Sequence, residues 1–502
     1  MTEQKNRYYW WFLFPAGILY ALLIHNHWNP TNDSAIYISA AKSIVEGRGY
    51  YYQGVRTYPP LLFSLLLAPI IALFGCNFTL MRLLMAISAL GALFFTCRLL
   101  ETKIAVPLII GIGLLTGLNE HLVYEVTRIL SDLPYMFFSY AALYWAQVYY
   151  SKNRVNDKYG WLCALTVVLA YFTRTIGVSL VIGICAFFLL EGFLADKLTL
   201  LFKKSLLILL IFALPAGLWF YRAASTPPEQ RYIAEHQREV SAVYDDYKLP
   251  LNVKNVWRNC RYYTWIMGRM VIGSHWYLPG QAYLVIFLVL CGLIRVLYNQ
   301  RGVGEYYFLS YLLTVLSFSG HQGTRYLLPV IPFIFYYFCQ GILFIFQQVS
   351  KILQKVMEFC PDKQTAALMS LILLLSYSHM RSNIVLVQYE RMRPYYRGIV
   401  AEFLQAVDWI KHNTAQDSVV ISECDPWVHL LGERYSVGFP RQDNPAKTHA
   451  SIVRNKADYA IYSRVTRLSE RYLKPVIEQH PESFQEVYRY NQAVVYKISV
   501  KK

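Results

Sequence analysis

Long apolar runs restrict this chain to a membrane protein. A helix needs about 20 mostly apolar residues to cross the hydrocarbon core of a bilayer, and about eleven runs meet or approach that length. They cover residues 9–24, 80–100, 104–118, 133–150, 159–172, 176–190, 205–221, 282–298, 306–319, 326–346 and 365–377. Hydrophobic residues make up 56% of the sequence and charged residues 16%, which excludes an intrinsically disordered chain and disfavours a cytosolic enzyme. We therefore predict a mainly α, polytopic membrane protein with about eleven transmembrane helices.

The apolar run 59–75 is predicted to be an interfacial or re-entrant helix, because it lies between a Pro-Pro pair and a Gly-Cys-Asn break. An amphipathic helix precedes it, beginning near Ser34 and ending at the turn Gly47-Arg48-Gly49. If both belong to the first external loop, the lysine-rich short loops lie in the cytoplasm, as the positive-inside rule requires. This topology puts the N-terminus inside and the tail outside, in the cytoplasmic (inner) membrane.

The tail differs from the rest of the chain. From 381 onward charges are dense, and a helical pattern over 397–412 is followed by β-rich runs at 418–422, 457–463, 484–490 and 493–500. Such alternation is typical of a small α/β domain. We predict two domains, a transmembrane domain over 1–380 and an extracytoplasmic α/β domain over 381–502. Acceptor recognition by this domain would be sought at Glu423-Cys424-Asp425, at the end of a predicted strand, although we expect a plain structural role there.

Polar residues at the ends of the predicted spans are the candidate functional residues. Charged groups at a membrane boundary are tolerated where they line a cavity or an interface. A carboxylate there can deprotonate a hydroxyl or hold a divalent ion, and the planar guanidinium of arginine suits phosphate oxygens. The candidates, all on the predicted external face, are Asp33, Glu120, His121, Arg128, Asp132, Arg174, Arg261, Arg325 and Tyr326.

Each of these residues also has a structural interpretation. Asp33 could cap a helix that begins at Ser34, and Asp132 could cap the span that follows it. Arg174 could extend its side chain to the membrane interface. The aromatic residues around Arg261 could stack on sugars or form an interfacial belt.

A divalent metal ion is an open alternative, and the sequence makes no cofactor certain. The acidic and imidazole groups that could ligate a metal are Asp33, Asp132, Glu120 and His121.

Four motifs, in this order, resemble the GT-C superfamily of polytopic glycosyltransferases. Within it the chain is similar to the bacterial relatives of protein O-mannosyltransferases and lipid A aminoarabinose transferases. The first motif is an acid after the first span that leads to a glycine turn (33–49), and the second is Tyr58-Pro59-Pro60-Leu61, with Arg82 opening the next span. The third motif is the stretch 128–134 before a span. The fourth motif is Arg325-Tyr326-Leu-Leu-Pro329-Val-Ile-Pro332.

The resemblance implies an activity. Such enzymes take a sugar from a polyprenyl-phosphate donor and transfer it, typically with inversion, to a glycan, lipid or protein acceptor at the outer face. It also implies roles for residues. Asp33 would be the general base or an orienter of the acceptor, and Asp132 the second acidic residue of the site. Arg174 would face the donor phosphate, and Arg325 and Tyr326 would line the donor cavity.

Two positions depart from the family pattern. Asp33 is followed by Ser34 where a second acid is common, and Thr57-Tyr58 precede the two prolines where Glu-Lys is common. The donor-phosphate contacts are therefore expected to include Arg56, Arg82, Arg128 and Arg261.

A transporter or flippase of a polyprenyl-linked glycan is the alternative function. Its cavity could also contain acids and arginines, but the acids here gather at one face rather than at the bilayer midplane, and no inverted repeat is found. The net charge of +17 suits anionic lipid, and nucleic acid is not expected, because the basic face is membrane-bound and external.

Overall fold

A computed structural model describes residues 11, 13–56, 60–225, 253–318, 321, 323–353, 361–392, 396–440 and 444–499. The chain forms two compact units. The first, here called the helical unit, comprises Met1–His25, Thr79–Tyr221 and Leu249–Glu390. The second, the mixed unit, comprises Asn26–Phe78, Arg222–Lys248 and Arg391–Lys502. The predicted division into 1–380 and 381–502 falls inside a helix that runs from Pro361 to Met392, and it stays a prediction.

The described residues form helices in chain order. The first ten are α1 (Leu13–Leu22), α2 (Asn32–Val45), α3 (Leu61–Phe74), α4 (Phe78–Leu100), α5 (Val106–Gly117), α6 (Glu120–Val126), α7 (Asp132–Tyr150), α8 (Lys158–Thr173), α9 (Val178–Leu194) and α10 (Leu198–Ala224). They are followed by α11 (Val253–Ile272), α12 (Gln281–Asn299), α13 (Val303–Ser317), α14 (Ile331–Leu353), α15 (Pro361–Met392), α16 (Gly398–Asn413), α17 (Asp425–Gly432), α18 (Pro445–Arg454) and α19 (Lys474–Gln479).

Every predicted span contains a helix, and the prediction of a mainly α, polytopic membrane protein is confirmed. Among the described residues, 6 helices are long and apolar enough to cross a membrane, and the bent pair α5 and α6 adds a seventh. That pair bends by 55°. The bend has a local cause, because the side chain of Asn119 accepts a hydrogen bond from the amide of His121 and so starts a new helix.

Two glycines let α12 and α14 pack closely. A Cβ atom at Gly292 would overlap the carbonyl oxygen of Tyr337, and one at Gly341 would overlap that of Leu288. Small residues at such crossings allow helix backbones to approach in a membrane, where packing rather than the hydrophobic effect drives association. The crossing therefore needs glycine on both helices.

The apolar run 59–75 forms α3, whose 14 residues are too few for a span of about 20 residues. Within the mixed unit α3 packs against α2. The Ser64 hydroxyl donates to the carbonyl of Tyr37 at 3.0 Å, and the rings of Tyr37 and Phe63 meet edge to face at 4.9 Å. The predicted helix is thus present, and its position at the membrane interface stays a prediction.

The mixed unit also contains a sheet of five strands in the order β4-β3-β5-β7-β6. A separate hairpin of β1 (Tyr51–Tyr52) and β2 (Val55–Arg56) precedes this sheet in the chain. The strands of the five-stranded sheet are β3 (Val419–Ser422), β4 (Tyr435–Val437), β5 (Tyr459–Tyr462), β6 (Phe484–Tyr490) and β7 (Ala493–Ile498). β3 runs parallel to β4 and β5, and β7 is antiparallel to β5 and β6. The four predicted strands and the predicted helix are confirmed, whereas the three-residue edge strand β4 was not expected.

Glu423, considered above for acceptor recognition, organises the loop after β5. One carboxylate oxygen accepts from the hydroxyl of Ser463 and the amide of Val465. The other accepts from the amides of Thr466 and Leu468 at 3.3 and 3.1 Å, and from the amide of Ser469 at 3.3 Å. Glu423 is buried, so these bonds replace its lost hydration.

We therefore expect Glu423→Ala to open the loop. Losing a shared charged acceptor should lower the hydrogen-exchange protection of the amides at 465–469 by about tenfold or more. Hydrogen exchange read by mass spectrometry on the full chain measures this. Glu433→Ala, which removes an exposed partner of Lys411, is the matched control and should leave these amides unchanged. Equal protection in Glu423→Ala and wild type would contradict the assignment.

Candidate functional site

A buried aspartate holds two arginines at one end of the helical unit. Asp132 is the first residue of α7 and is 1% exposed. Arg174 donates from Nη1 to one carboxylate oxygen, and Arg325 donates to the other from Nη2 at 2.9 Å and from Nε at 3.3 Å. The structural alternative for Asp132 is wrong, because Ser131 holds the N-cap position and Asp132 binds side chains instead.

Interruptions of the helices bring the two arginines to Asp132. Arg174 follows the last residue of α8 in an extended conformation, and a short 3-10 turn over Thr175–Gly177 leads into α9. Gly177 is required there, since a Cβ atom would lie 2.7 Å from the Cα of Tyr171. Arg325 lies in a second 3-10 turn, Gly323–Tyr326, shortly before α14. Charged residues at three helix breaks therefore converge.

A second ion pair borders this cluster. Nη1 of Arg128 donates to Oε1 of Glu125 at 3.0 Å. Arg128 interacts electrostatically with Asp132, and Glu125 does so with Asp132 and Arg325. Within the described part of the chain, Oε2 of Glu125 and Nε of Arg128 are buried without a hydrogen-bond partner. Buried polar groups in native structures usually have partners, which include ordered water and ions as well as ligands.

Among the described residues, the cluster contains three arginines (128, 174 and 325) and two carboxylates (125 and 132), which together carry one net positive charge. The ring of Tyr326 lies 6.0 Å from the guanidinium carbon of Arg174. Guanidinium groups bind phosphate through paired hydrogen bonds, so the cluster has the chemistry of a phosphate site.

Arg82 occupies a different ion network. It is 1% exposed on α4 and donates from Nη1 to the carbonyl of Leu23 and to Glu390, both at 3.0 Å. Nε2 of His25 lies 2.7 Å from the same nitrogen and 2.6 Å from the Glu390 carboxylate. Arg82 thus joins α4 to the end of α1 and to α15, and its predicted phosphate contact stays a prediction.

Two other arginines, Arg261 and Arg56, stay predicted phosphate contacts. Arg261 is exposed on α11 and forms no ion pair with a described residue. Arg56 ends β2, and its side chain is outside what the structure describes.

Glu120 and His121 lie at the bend between α5 and α6. The Glu120 carboxylate accepts from the amide of Ser274 at 2.8 Å and from its hydroxyl, and Nε2 of His121 is 3.5 Å from that carboxylate. The side chain of Asn119 donates to the carbonyl of Met270 at 2.8 Å. These contacts tie the bend to the end of α11.

The described residues do not fit a divalent metal. No three His, Cys, Asp or Glu side chains among them converge into a metal site. Divalent cations need several such ligands, whereas both oxygens of Asp132 face guanidinium groups, which repel a cation. No step proposed below passes through a metal.

Asp33 lies in the first turn of α2 and is not its cap. Thr31 is the N-cap, its hydroxyl accepting from the amide of Ser34 at 3.1 Å, while the Ser34 hydroxyl accepts from the amide of Thr31 at 3.2 Å. The prediction that Asp33 could cap a helix starting at Ser34 is therefore wrong, since α2 starts at Asn32.

The sequence interpretation missed Glu390 and His25 as partners of Arg82. No local signal links them, because 308 residues separate Arg82 from Glu390. Glu125, the partner of Arg128, is also absent from the candidates that the sequence indicates. Its spacing of three residues on one helical turn predicts their ion pair.

Comparison with solved structures identifies the fold. The ArnT of Cupriavidus metallidurans bound to undecaprenyl phosphate has a TM-score of 0.58 at 14% identity, over 97% of each chain. The oligosaccharyltransferase AglB of Archaeoglobus fulgidus, in complex with an inhibitory peptide and a dolichol-phosphate, has a TM-score of 0.55 at 11% identity, over 99% of this chain and 75% of that one. No protein-family model and no curated protein matches the chain in sequence.

The cap assignment predicts different effects for two neighbouring substitutions. Thr31→Ala removes the cap and should cost about 1 kcal/mol of stability. Asp33→Ala leaves that cap in place and removes the favourable interaction of a carboxylate with the helix dipole, so it should cost less stability than Thr31→Ala. Unfolding of both variants in the same detergent compares them. An Asp33→Ala variant that loses as much stability as Thr31→Ala would contradict the assignment of the cap to Thr31.

Proposed function

Since the chain has the fold of the GT-C glycosyltransferases, we propose that it is a membrane glycosyltransferase. It moves a sugar from a polyprenyl-phosphate donor to an acceptor at the extracytoplasmic face, with inversion. The observation that carries this proposal is the arginine cluster around Asp132, whose guanidinium groups and net positive charge among the described residues suit the donor phosphate.

The proposed reaction breaks the bond between the sugar's anomeric carbon and the phosphate oxygen. Negative charge accumulates on the departing polyprenyl phosphate, and arginines already held in place stabilise it without reorganising. Asp132 is the positioning residue for Arg174 and Arg325. Bound by two guanidinium groups it is a weak base, so it is not assigned the proton transfer.

The acceptor hydroxyl oxygen forms the new bond to the anomeric carbon from the side opposite the phosphate, which inverts the configuration. Its proton passes to a carboxylate, and we assign Asp33 as this general base. The assignment is supported by the family resemblance and by the helix cap at Thr31, which leaves the Asp33 carboxylate without a capping role.

The proposal extends to partners and location. The donor is a polyprenyl-phosphate sugar, the acceptor a glycan, lipid or protein, and the membrane is the cytoplasmic (inner) one. The N-terminus lies inside and the domain over 381–502 lies outside. Arg56, Arg82 and Arg261 remain proposed phosphate contacts on sequence grounds alone.

Sugar transfer by arginine variants tests the function. Purified protein in lipid nanodiscs receives radiolabelled polyprenyl-phosphate sugar together with a membrane extract as acceptor source. Arg325→Gln should fold, because Asp132 keeps Arg174, and should transfer about a hundredfold more slowly. Arg325→Lys should recover part of the rate. Arg301→Gln, which breaks an ion pair with Glu191, is the control and should transfer normally.

Two outcomes would contradict the proposal. If Arg325→Gln transfers label as fast as wild type, the cluster does not bind the leaving phosphate. If no label is transferred but the labelled lipid becomes accessible in the opposite leaflet, the protein is a flippase.

A further inference from the structure

A cavity of about 370 Å³ lies between α5, α12, α14 and α15 of the helical unit. Its polar wall includes Lys103, Arg295, Asn299 and Gln340. Its apolar wall includes Leu343 and Met369. A cavity with one cationic and one apolar wall has the character of a site for an anionic amphiphile.

This cavity lies at the opposite end of the helices from Asp132. Lys103 is in its wall, and a Cβ atom at Gly302 would lie 3.0 Å from Nζ of Lys103 and 3.2 Å from Oε1 of Gln147. Gln147 is in the last turn of α7, whereas Asp132 is its first residue. At 1.5 Å per residue they are about 22 Å apart along the helix, so the cavity is separate from the arginine cluster.

Arg295 supplies the charge of the cavity. Lys103 is neutralised, because its Nζ lies 2.5 Å from the carboxylate of Glu305, which is fully buried. Arg295 has no carboxylate partner among the described residues, and its guanidinium reaches only the carbonyl of Gln340, at 3.5 Å. A partly buried cation without a counter-ion is costly in a membrane protein.

Gln340 adds a second polar side chain to the cavity wall. It is 8% exposed and lines the cavity. An anion's oxygens would accept hydrogen bonds from the NH₂ group of its side chain.

We propose that the cavity binds a phosphate group through Arg295 and the side-chain amide of Gln340. The phosphate is either the headgroup of an anionic lipid, whose acyl chains follow the apolar wall, or a free phosphate. The site is distinct from the arginine cluster, and its existence does not depend on the proposed transferase activity.

Lipid retention tests the proposal. The full chain is purified from nanodiscs of phosphatidylcholine with or without phosphatidylglycerol, and native mass spectrometry counts the lipids that stay bound. Wild type should retain phosphatidylglycerol, and Arg295→Gln should retain about tenfold less, as expected for loss of a charge-assisted contact. Arg301→Gln, a neighbouring arginine paired with Glu191, should retain as much as wild type.

A second variant keeps the test valid if Arg295→Gln folds poorly. Gln340→Glu gives Arg295 a carboxylate of its own, so the protein should be at least as stable as wild type while excluding an anion. Phosphatidylglycerol should then no longer raise its melting temperature.

The source of the phosphate follows from a parallel titration with inorganic phosphate and no anionic lipid. Stabilisation by phosphatidylglycerol alone identifies a lipid headgroup. Stabilisation by inorganic phosphate that both variants lose identifies a free phosphate. If wild type, Arg295→Gln and Gln340→Glu respond equally to both compounds, the proposal is wrong.

Discussion

The candidate site depends on the burial of one carboxylate. Asp132 is almost fully excluded from solvent and is bound by Arg174 and Arg325. A buried charge needs charged partners, so the aspartate ties the start of α7 to the break after α8 and to the turn before α14. Without it the two guanidinium groups would repel each other. The same arrangement supplies what a departing phosphate needs, which is positive charge held in place before the reaction.

Ionic clusters of the helical unit differ in whether the number of cationic side chains equals the number of carboxylates. Lys103 with Glu305, and Arg82 with Glu390, are one-to-one pairs of cation and carboxylate. Such pairs join helices. Among the described residues, the cluster at Asp132 and the cavity at Arg295 each carry one positive charge in excess. Charge balance therefore separates the groups that stabilise the fold from those that we propose bind anions.

The sequence predicted the helices well because apolar length is a local property. It also gave Asp132, Arg174 and Arg325 as site candidates, since charged residues at the ends of spans are unusual, and the structure brings these three together. Their pairing could not be predicted, because 193 residues separate Asp132 from Arg325. The pairing of Arg82 with Glu390 could not be predicted for the same reason.

Local alternatives were hardest to decide from sequence. Asp33 and Thr31 are both good N-cap residues, and only the backbone shows that Thr31 has the extended conformation of a cap. The strand Tyr435–Val437 has three residues at the sheet edge, too few for a period of two to be recognised. Glu423 looked accessible at a strand end, yet the loop after β5 folds over it.

Arg174 and Arg325 are proposed to bind the phosphate of a polyprenyl carrier. Electron cryo-microscopy of the protein in nanodiscs loaded with polyprenyl phosphate would show where this phosphate lies. We expect phosphate density within hydrogen-bond distance of at least one of these two guanidinium groups, with Asp132 still bound to both. Phosphate density elsewhere in the protein, with the arginine cluster unchanged from the lipid-free state, would contradict it.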